Sequence, residues 1–330
     1  MELPELPVHV AEPWLAVLLS SGARIGAFVW GAIWGSFANV VIHRVPRGES
    51  IVRPRSRCPG CGATLGAIEN VPILSYLVLR GKCRHCGEPI ALRYLVVELL
   101  AGLLGFATYM RMVYVPLLEG SAPNLGAWLL AFAFCLAVLV VVFVDLDVWI
   151  IPDVIVLPMA VVGLLAAALV PEWLGVELVP AALAAASGYL VFAGIRQLYL
   201  RWRGIDGLGL GDAKLLAMVG AFCGPVGVAW CVGAGAVQGL VVAVPMLLAG
   251  RRIANTDLHD VHGDDPELGP APEASASADT TASDHDPHGS DDRSVMGRHV
   301  PFGPFLGLAA LEYMLLGDVI DAALSWLVNP

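Results

Sequence analysis

The chain has 330 residues, of which 57% are hydrophobic and only 15% charged, with a mean hydropathy of +0.73. That is too little charge to clothe a soluble globule of this length, and it excludes an ordinary cytosolic enzyme in favour of an all-α polytopic membrane protein. The formal net charge of −10 is uneven: residues 251–299 hold eleven Asp and Glu against four Arg, which is −7, and leave −3 for the rest; no nucleic-acid partner is expected.

Apolar runs near the 20-residue length of a membrane span predict about eight helices. They fall near 14–42, 95–113, 127–146, 153–171, 177–199, 212–225, 226–249 and 302–327, with an uncertain sixth boundary at Gly224-Pro225. The N-terminus carries Glu2, Glu5 and Glu12 where a cleavable signal peptide would be basic, so the first run is expected to remain as a membrane helix.

The polar stretch that follows, 43–94, holds Arg44, Arg47, Arg53, Arg55, Arg57, Arg80, Lys82, Arg84 and Arg93, and the positive-inside rule makes it cytoplasmic. Within it Cys58-Pro59-Gly60-Cys61-Gly62 and Cys83-Arg84-His85-Cys86-Gly87 repeat one pattern. Each C-x-x-C closes a tight turn that aims two sulfurs at one point. Four thiolates make the tetrahedral set that Zn²⁺ favours, at a spacing close to that of zinc ribbons. Disulfides or free thiols are the alternatives. A cytoplasmic setting disfavours disulfides, and four protein ligands leave no open coordination position, so the expected zinc is structural. Cys135, Cys223 and Cys231 lie singly in apolar runs and read as packing residues. Asn39, Arg44, Arg93 and Glu98 lie near expected membrane boundaries. Interfacial anchoring accounts for most such arginines, but less easily for Asn39 within an apolar helix.

Two later places combine carboxylates with helix breaks. One is Val144-Asp145-Leu146-Asp147, just before Ile150-Ile151-Pro152-Asp153; the other is Gly209-Leu210-Gly211-Asp212-Ala213-Lys214. A carboxylate at a membrane helix end is costly unless water, a partner or a function keeps it there. Interfacial marking would explain the first three aspartates, and an N-cap role would explain Asp212, with Lys214 favouring its ionised form. The chemical reading is a carboxylate pair. Like charges held close share one proton; the ionised member takes a proton from water as that water attacks a carbonyl, and its partner donates to the reacting carbonyl or the leaving amine. By alternation of loops both aspartates fall at cytoplasmic helix ends. Segment 254–299 is rich in Asp, His, Ala, Ser, Pro and Gly and cannot bury enough apolar surface to fold, so it reads as a solvated linker. Five of the eight histidines fall there without a repeated spacing, and a metal-buffering tract is the alternative.

The expected organisation is thus an N-terminus and first membrane helix at 1–42, a small cytoplasmic zinc-ribbon-like domain at 43–94, a transmembrane core at 95–250, a disordered acidic cytoplasmic loop at 251–299 and a last helix at 300–330. Against this frame the chain resembles the bacterial type IV prepilin peptidases, bifunctional leader peptidases and N-methyltransferases of the GxGD aspartic protease class. The resemblance is carried by Gly35-Ser36-Phe37-Ala38-Asn39-Val40-Val41-Ile42-His43-Arg44-Val45-Pro46, by the paired C-x-x-C, and by Arg93-Tyr94 with Glu98. Asp145-Leu146-Asp147 with Pro152-Asp153, Gly209-Leu210-Gly211-Asp212-Ala213-Lys214, and Pro301-Phe302-Gly303-Pro304-Phe305 complete it. It implies a multi-pass inner-membrane enzyme with its site near the cytoplasmic face. Asp145 and Asp212 would be the catalytic pair, with Asp147 as the alternative first aspartate. The implied substrates are prepilins or pseudopilins, cut after Gly and then methylated from S-adenosylmethionine, in an enzyme surrounded by membrane lipid. A proton- or cation-coupled transporter with a zinc-stabilised cytoplasmic domain is the rival from another class.

Overall fold

The computed structural model describes residues 13–58, 60–66, 68–203, 209–248 and 302–328. The expected acidic loop at 251–299 lies outside the described residues. A short helix α1 (Pro13–Leu19) leads into α2 (Ser21–Arg44), whose start is capped by Ser20: its hydroxyl accepts from the Ala23 N–H at 3.2 Å. The polar lobe follows, with the short α-helix α3 (Leu74–Val78) and two 3-10 turns, Val45–Arg47 and Ile68–Asn70, and then α4 (Leu92–Tyr109). One wide turn at Met110–Tyr114 continues α4 into α5 (Val115–Leu118). α6 (Leu125–Val148) opens on Asn124, whose side chain accepts from the Ala127 N–H at 2.8 Å. The remaining helices are α7 (Asp153–Leu169), α8 (Pro171–Leu174), α9 (Leu178–Arg203), α10 (Leu210–Leu248) and α11 (Gly303–Val328).

Among the described residues, five stretches are long and apolar enough to cross a membrane: Ser21–Arg47, Leu92–Leu118, Leu125–Val148, Leu178–Trp202 and Leu210–Pro245; Asp153–Leu169 is a shorter apolar helix. At about 1.5 Å rise per residue α6 is about 36 Å long, enough for a hydrocarbon core of about 30 Å. The sixth and seventh expected spans lie on one element, α10, broken by non-helical backbone at Gly224 (φ 65°, ψ −166°). α11 covers the eighth.

The packing described here lies within one compact unit, residues up to Gly239 with those from Pro301 onward; residues 240–248 belong to a second. α6 is its axis. Phe134, Val138, Val141 and Val144 are all fully buried, so this helix is enclosed on several sides, with α2, α4, α7 and α11 against it. Phe134 meets Phe222 of α10 with ring centroids 4.7 Å apart. Small residues set the closest approaches, as they do where helices pack without a hydrophobic gradient between them. A Cβ on Gly35 of α2 would lie 2.8 Å from the Ala101 Cβ of α4, and one on Gly220 of α10 would lie 2.5 Å from the Ala184 backbone of α9. Among the described residues no sheet forms. The polar lobe holds two isolated bridges, Arg57 with Thr64 and Lys82 with Pro89.

Candidate active site and metal centre

Asp145 lies in the last turn of α6 and is only 6% exposed. The helix ends one turn later at Trp149, whose left-handed backbone (φ 58°) lets its N–H donate to the Asp145 carbonyl at 3.0 Å. Pro152 cannot extend a helix from behind but fits ahead of one, so α7 restarts directly, with Asp153 in its first turn. Asp212 stands in the first turn of α10, next to Gly211.

Ile151 joins these ends. A Cβ on Gly211 would lie 2.9 Å from the Ile151 Cβ. A Cβ on Gly303, the first residue of α11, would strike the Asp145 carboxylate and lie 3.2 Å from the Ile151 Cδ1. The two glycines therefore let the starts of α10 and α11 close onto the corner between α6 and α7.

The neighbouring carboxylates are neutralised. Arg93 at the start of α4 forms an ion pair with Asp147. Lys214 Nζ donates to both carboxylate oxygens of Asp153 at 2.7 Å. Lys214 was expected to serve Asp212, two residues before it, but residues two apart on a helix do not face each other. Among the described residues, the side chains of Asp145 and Asp212 form no ion pair or hydrogen bond.

Arg44, Glu98 and Asn39, near the expected membrane boundaries, tie the polar lobe, α2 and α4 together. Arg44 donates to the carbonyls of Ser50 and Pro54, both at 2.9 Å. Glu98 accepts from the Ile73 N–H at 2.7 Å, and Asn39 Nδ2 donates to the Tyr94 carbonyl at 3.0 Å. Asn39 is 4% exposed, and its Oδ1 has no partner. A polar residue inside an apolar helix was the only sequence signal for these contacts, because their partners lie on other segments.

The four cysteines converge. Cys58, Cys61, Cys83 and Cys86 place their sulfurs within 4.8 Å of one another, and the Cys58 and Cys86 sulfurs are 3.8 Å apart. Four sulfurs at about 2.3 Å from one zinc would stand about 3.8 Å apart in a tetrahedron, so the set fits that metal. None is in a disulfide. Both turns have the same wiring. The Gly62 N–H donates to the Cys58 carbonyl and the Gly87 N–H to the Cys83 carbonyl, each at 2.9 Å. Both glycines have positive φ, 69° and 75°. The backbone N–H groups of Cys86 and His85 also favour the Cys83 thiolate, holding that thiol below its ordinary value.

Two family models match the chain. Bacterial Peptidase A24 N-terminal domain covers residues 29–112, and Type IV leader peptidase family covers residues 132–245. Among curated proteins, the chain is 38% identical to a prepilin leader peptidase/N-methyltransferase of Myxococcus xanthus (strain DK1622), over 90% of this chain and 91% of that protein. It is 36% identical to one of Burkholderia pseudomallei (strain 1026b), over 71% and 80% of the two chains. It is 30% identical to one of Stutzerimonas stutzeri, over 90% and 92%. No solved structure matches the chain.

Proposed function

Because the chain belongs to the type IV leader peptidase family, as a multi-pass inner-membrane prepilin peptidase with N-methyltransferase activity and not a transporter, we propose that Asp145 and Asp212 are its catalytic pair. The observation that carries this reading is the division among four carboxylates: Asp147 and Asp153 are held by Arg93 and Lys214, while Asp145 and Asp212 share one corner without a cation. A carboxylate tied to a cation is a poor proton carrier. A coupled pair without one has a single shared proton to place. In this mechanism a water held between the two aspartates loses a proton to the ionised carboxylate as it attacks the peptide carbonyl. The protonated partner donates to the carbonyl oxygen, and the proton passes on to the leaving amine as the C–N bond breaks. Asp145, the more buried of the two, is placed to keep this exchange from bulk water.

The substrates in this reading are prepilins, and pseudopilins with the same type of basic leader, cut at the cytoplasmic face of the membrane. The methyl donor is S-adenosylmethionine. The Cys58, Cys61, Cys83 and Cys86 set holds one Zn²⁺, which supplies folding energy to the lobe and takes no part in the cleavage. The test is mass spectrometry of a prepilin-like peptide incubated with purified full-length protein, with and without S-adenosylmethionine. Loss of the leader is expected in both samples, and one added methyl group only with the donor. A peptide left intact in both overturns the reading.

A further inference from the structure

The short helix α3 has five residues, too few to persist as a helix on its own in water. One side of it belongs to the lobe: Tyr76 Oη donates to the Ile90 carbonyl at 3.3 Å. The other side is Leu74, Leu77 and Val78, spaced i, i+3, i+4 and 58–77% exposed. Scattered single apolar residues are ordinary on a polar lobe, but three on one face of one helix mark a contact surface. The backbone on both sides of α3 is constrained. Ile73, just before it, has φ 62°, and Arg80, two residues after it, has φ 52°. Positive φ in a β-branched residue is strained and persists only where the surroundings impose it. The Glu98 carboxylate imposes it here, accepting from the Ile73 N–H at 2.7 Å. Glu98 stands six residues inside the membrane span Leu92–Leu118, about 9 Å along it. The start of α3 is therefore tied to the first turns of that span, at the level of the bilayer surface.

We propose that α3 is an interfacial helix: Leu74, Leu77 and Val78 enter the headgroup boundary of the same bilayer that α2 and α4 cross, and the basic residues after them bind anionic phospholipid headgroups. An apolar helix face flanked by Lys and Arg is the usual make-up of such an anchor. Charge favours this occupant. Residues 43–94 hold nine Arg and Lys against three Glu, a net of +6, which a zinc held by four thiolates lowers to +4. Arg80, Lys82 and Arg84 follow α3 directly, all exposed, and none of them makes an ion pair among the described residues. Anionic lipid attracts such a cluster within about a Debye length of the surface. The tie from Ile73 to Glu98 already holds the apolar face where lipid is the solvent, so lipid covers it without a protein partner. α2 and α4 tether the two ends of the lobe, and α3 fixes its middle. This inference does not depend on the cleavage chemistry.

The test places the photoreactive substitution Leu77→p-benzoylphenylalanine in the full-length protein, in nanodiscs of phosphatidylcholine alone or with equal phosphatidylglycerol. The same probe at Leu103, exposed in the α4 span, verifies lipid capture. Mass spectrometry is expected to find a phospholipid adduct at position 77, several-fold more abundant in the anionic discs at low salt and evened out by high salt. Adding Leu74→Glu and Val78→Glu is expected to reduce that adduct at least about tenfold, with retained zinc reporting a folded lobe. Should those variants fail to fold, hydrogen exchange of the unmodified protein takes their place: the amides of residues 74–79 are expected to exchange more slowly in the anionic discs. No lipid adduct at 77 beside one at 103, or an adduct to a second protein chain instead, overturns the proposal. So does an adduct that survives both Glu substitutions in a zinc-loaded lobe. Equal adduct and equal exchange in the two lipids overturn its anionic part.

Discussion

Asp145 and Asp147 are two residues apart, and a helix turns about 200° over two residues, so one faces the packed interior and the other meets Arg93. That difference separates their predicted roles. Asp145→Asn and Asp212→Asn are each expected to lower leader cleavage at least about 100-fold, the low end for losing a positioned acid or base. Asp147→Asn is expected to keep most of the rate, since a half-exposed ion pair contributes about 0.2–1 kcal/mol. Cleavage kinetics of the three purified variants decide this; an inert Asp147→Asn beside an active Asp145→Asn reverses the assignment. The sequence marked all of these aspartates by their place beside helix breaks. It left Asp147 as an alternative because the phase of a helix end is set by its neighbours. Arg93 lies 54 residues from Asp147 and Lys214 lies 61 from Asp153, so neither pairing could be read locally.

Helices and the cysteine turns were more legible, because both rest on short-range patterns. Each C-x-x-C with its following glycine is a self-contained turn, and only the meeting of the two turns needed the fold. Metal analysis of protein purified under reducing conditions is expected to give one zinc per chain. Chelation is expected to raise proteolysis within 43–94; metal-free protein with an intact lobe would refute the structural role. α10 shows the opposite limit. Gly224-Pro225 marked a break in the sequence, but whether it separates two rods or bends one depends on what packs around it. Gly224 adopts backbone that is nearly glycine-only, and a Cβ there would also lie 3.1 Å from Val176. Gly224→Ala should therefore destabilise the protein by about 1–3 kcal/mol, read from the denaturant midpoint in detergent.

For the whole molecule, hydropathy placed most of the described membrane helices within a few residues, because a bilayer forces apolar runs of fixed length; the first expected span runs together α1 and α2, and the sixth and seventh lie on α10. It could not say which helices touch. Composition also isolated residues 251–299, whose negative charge can attract a basic leader only within roughly 8–10 Å at physiological salt. Replacing 254–297 by a short Gly/Ser linker should leave turnover intact at moderate salt and at most weaken apparent affinity at low salt. Loop-closure cost changes little with length. Cleavage kinetics at two salt concentrations check this, and lost turnover at both, in a folded protein, refutes it. The contact of Gly303 with Asp145 bears on the enzyme's own biosynthesis. α11 leaves the ribosome after every other described helix, so the nascent chain has no finished aspartate corner while it is being threaded into the membrane. The protease is then expected to stay latent until α11 is made: a chain halted at residue 300 should insert and bind zinc yet cut nothing, and residues 301–330 supplied as a separate helix should restore cleavage.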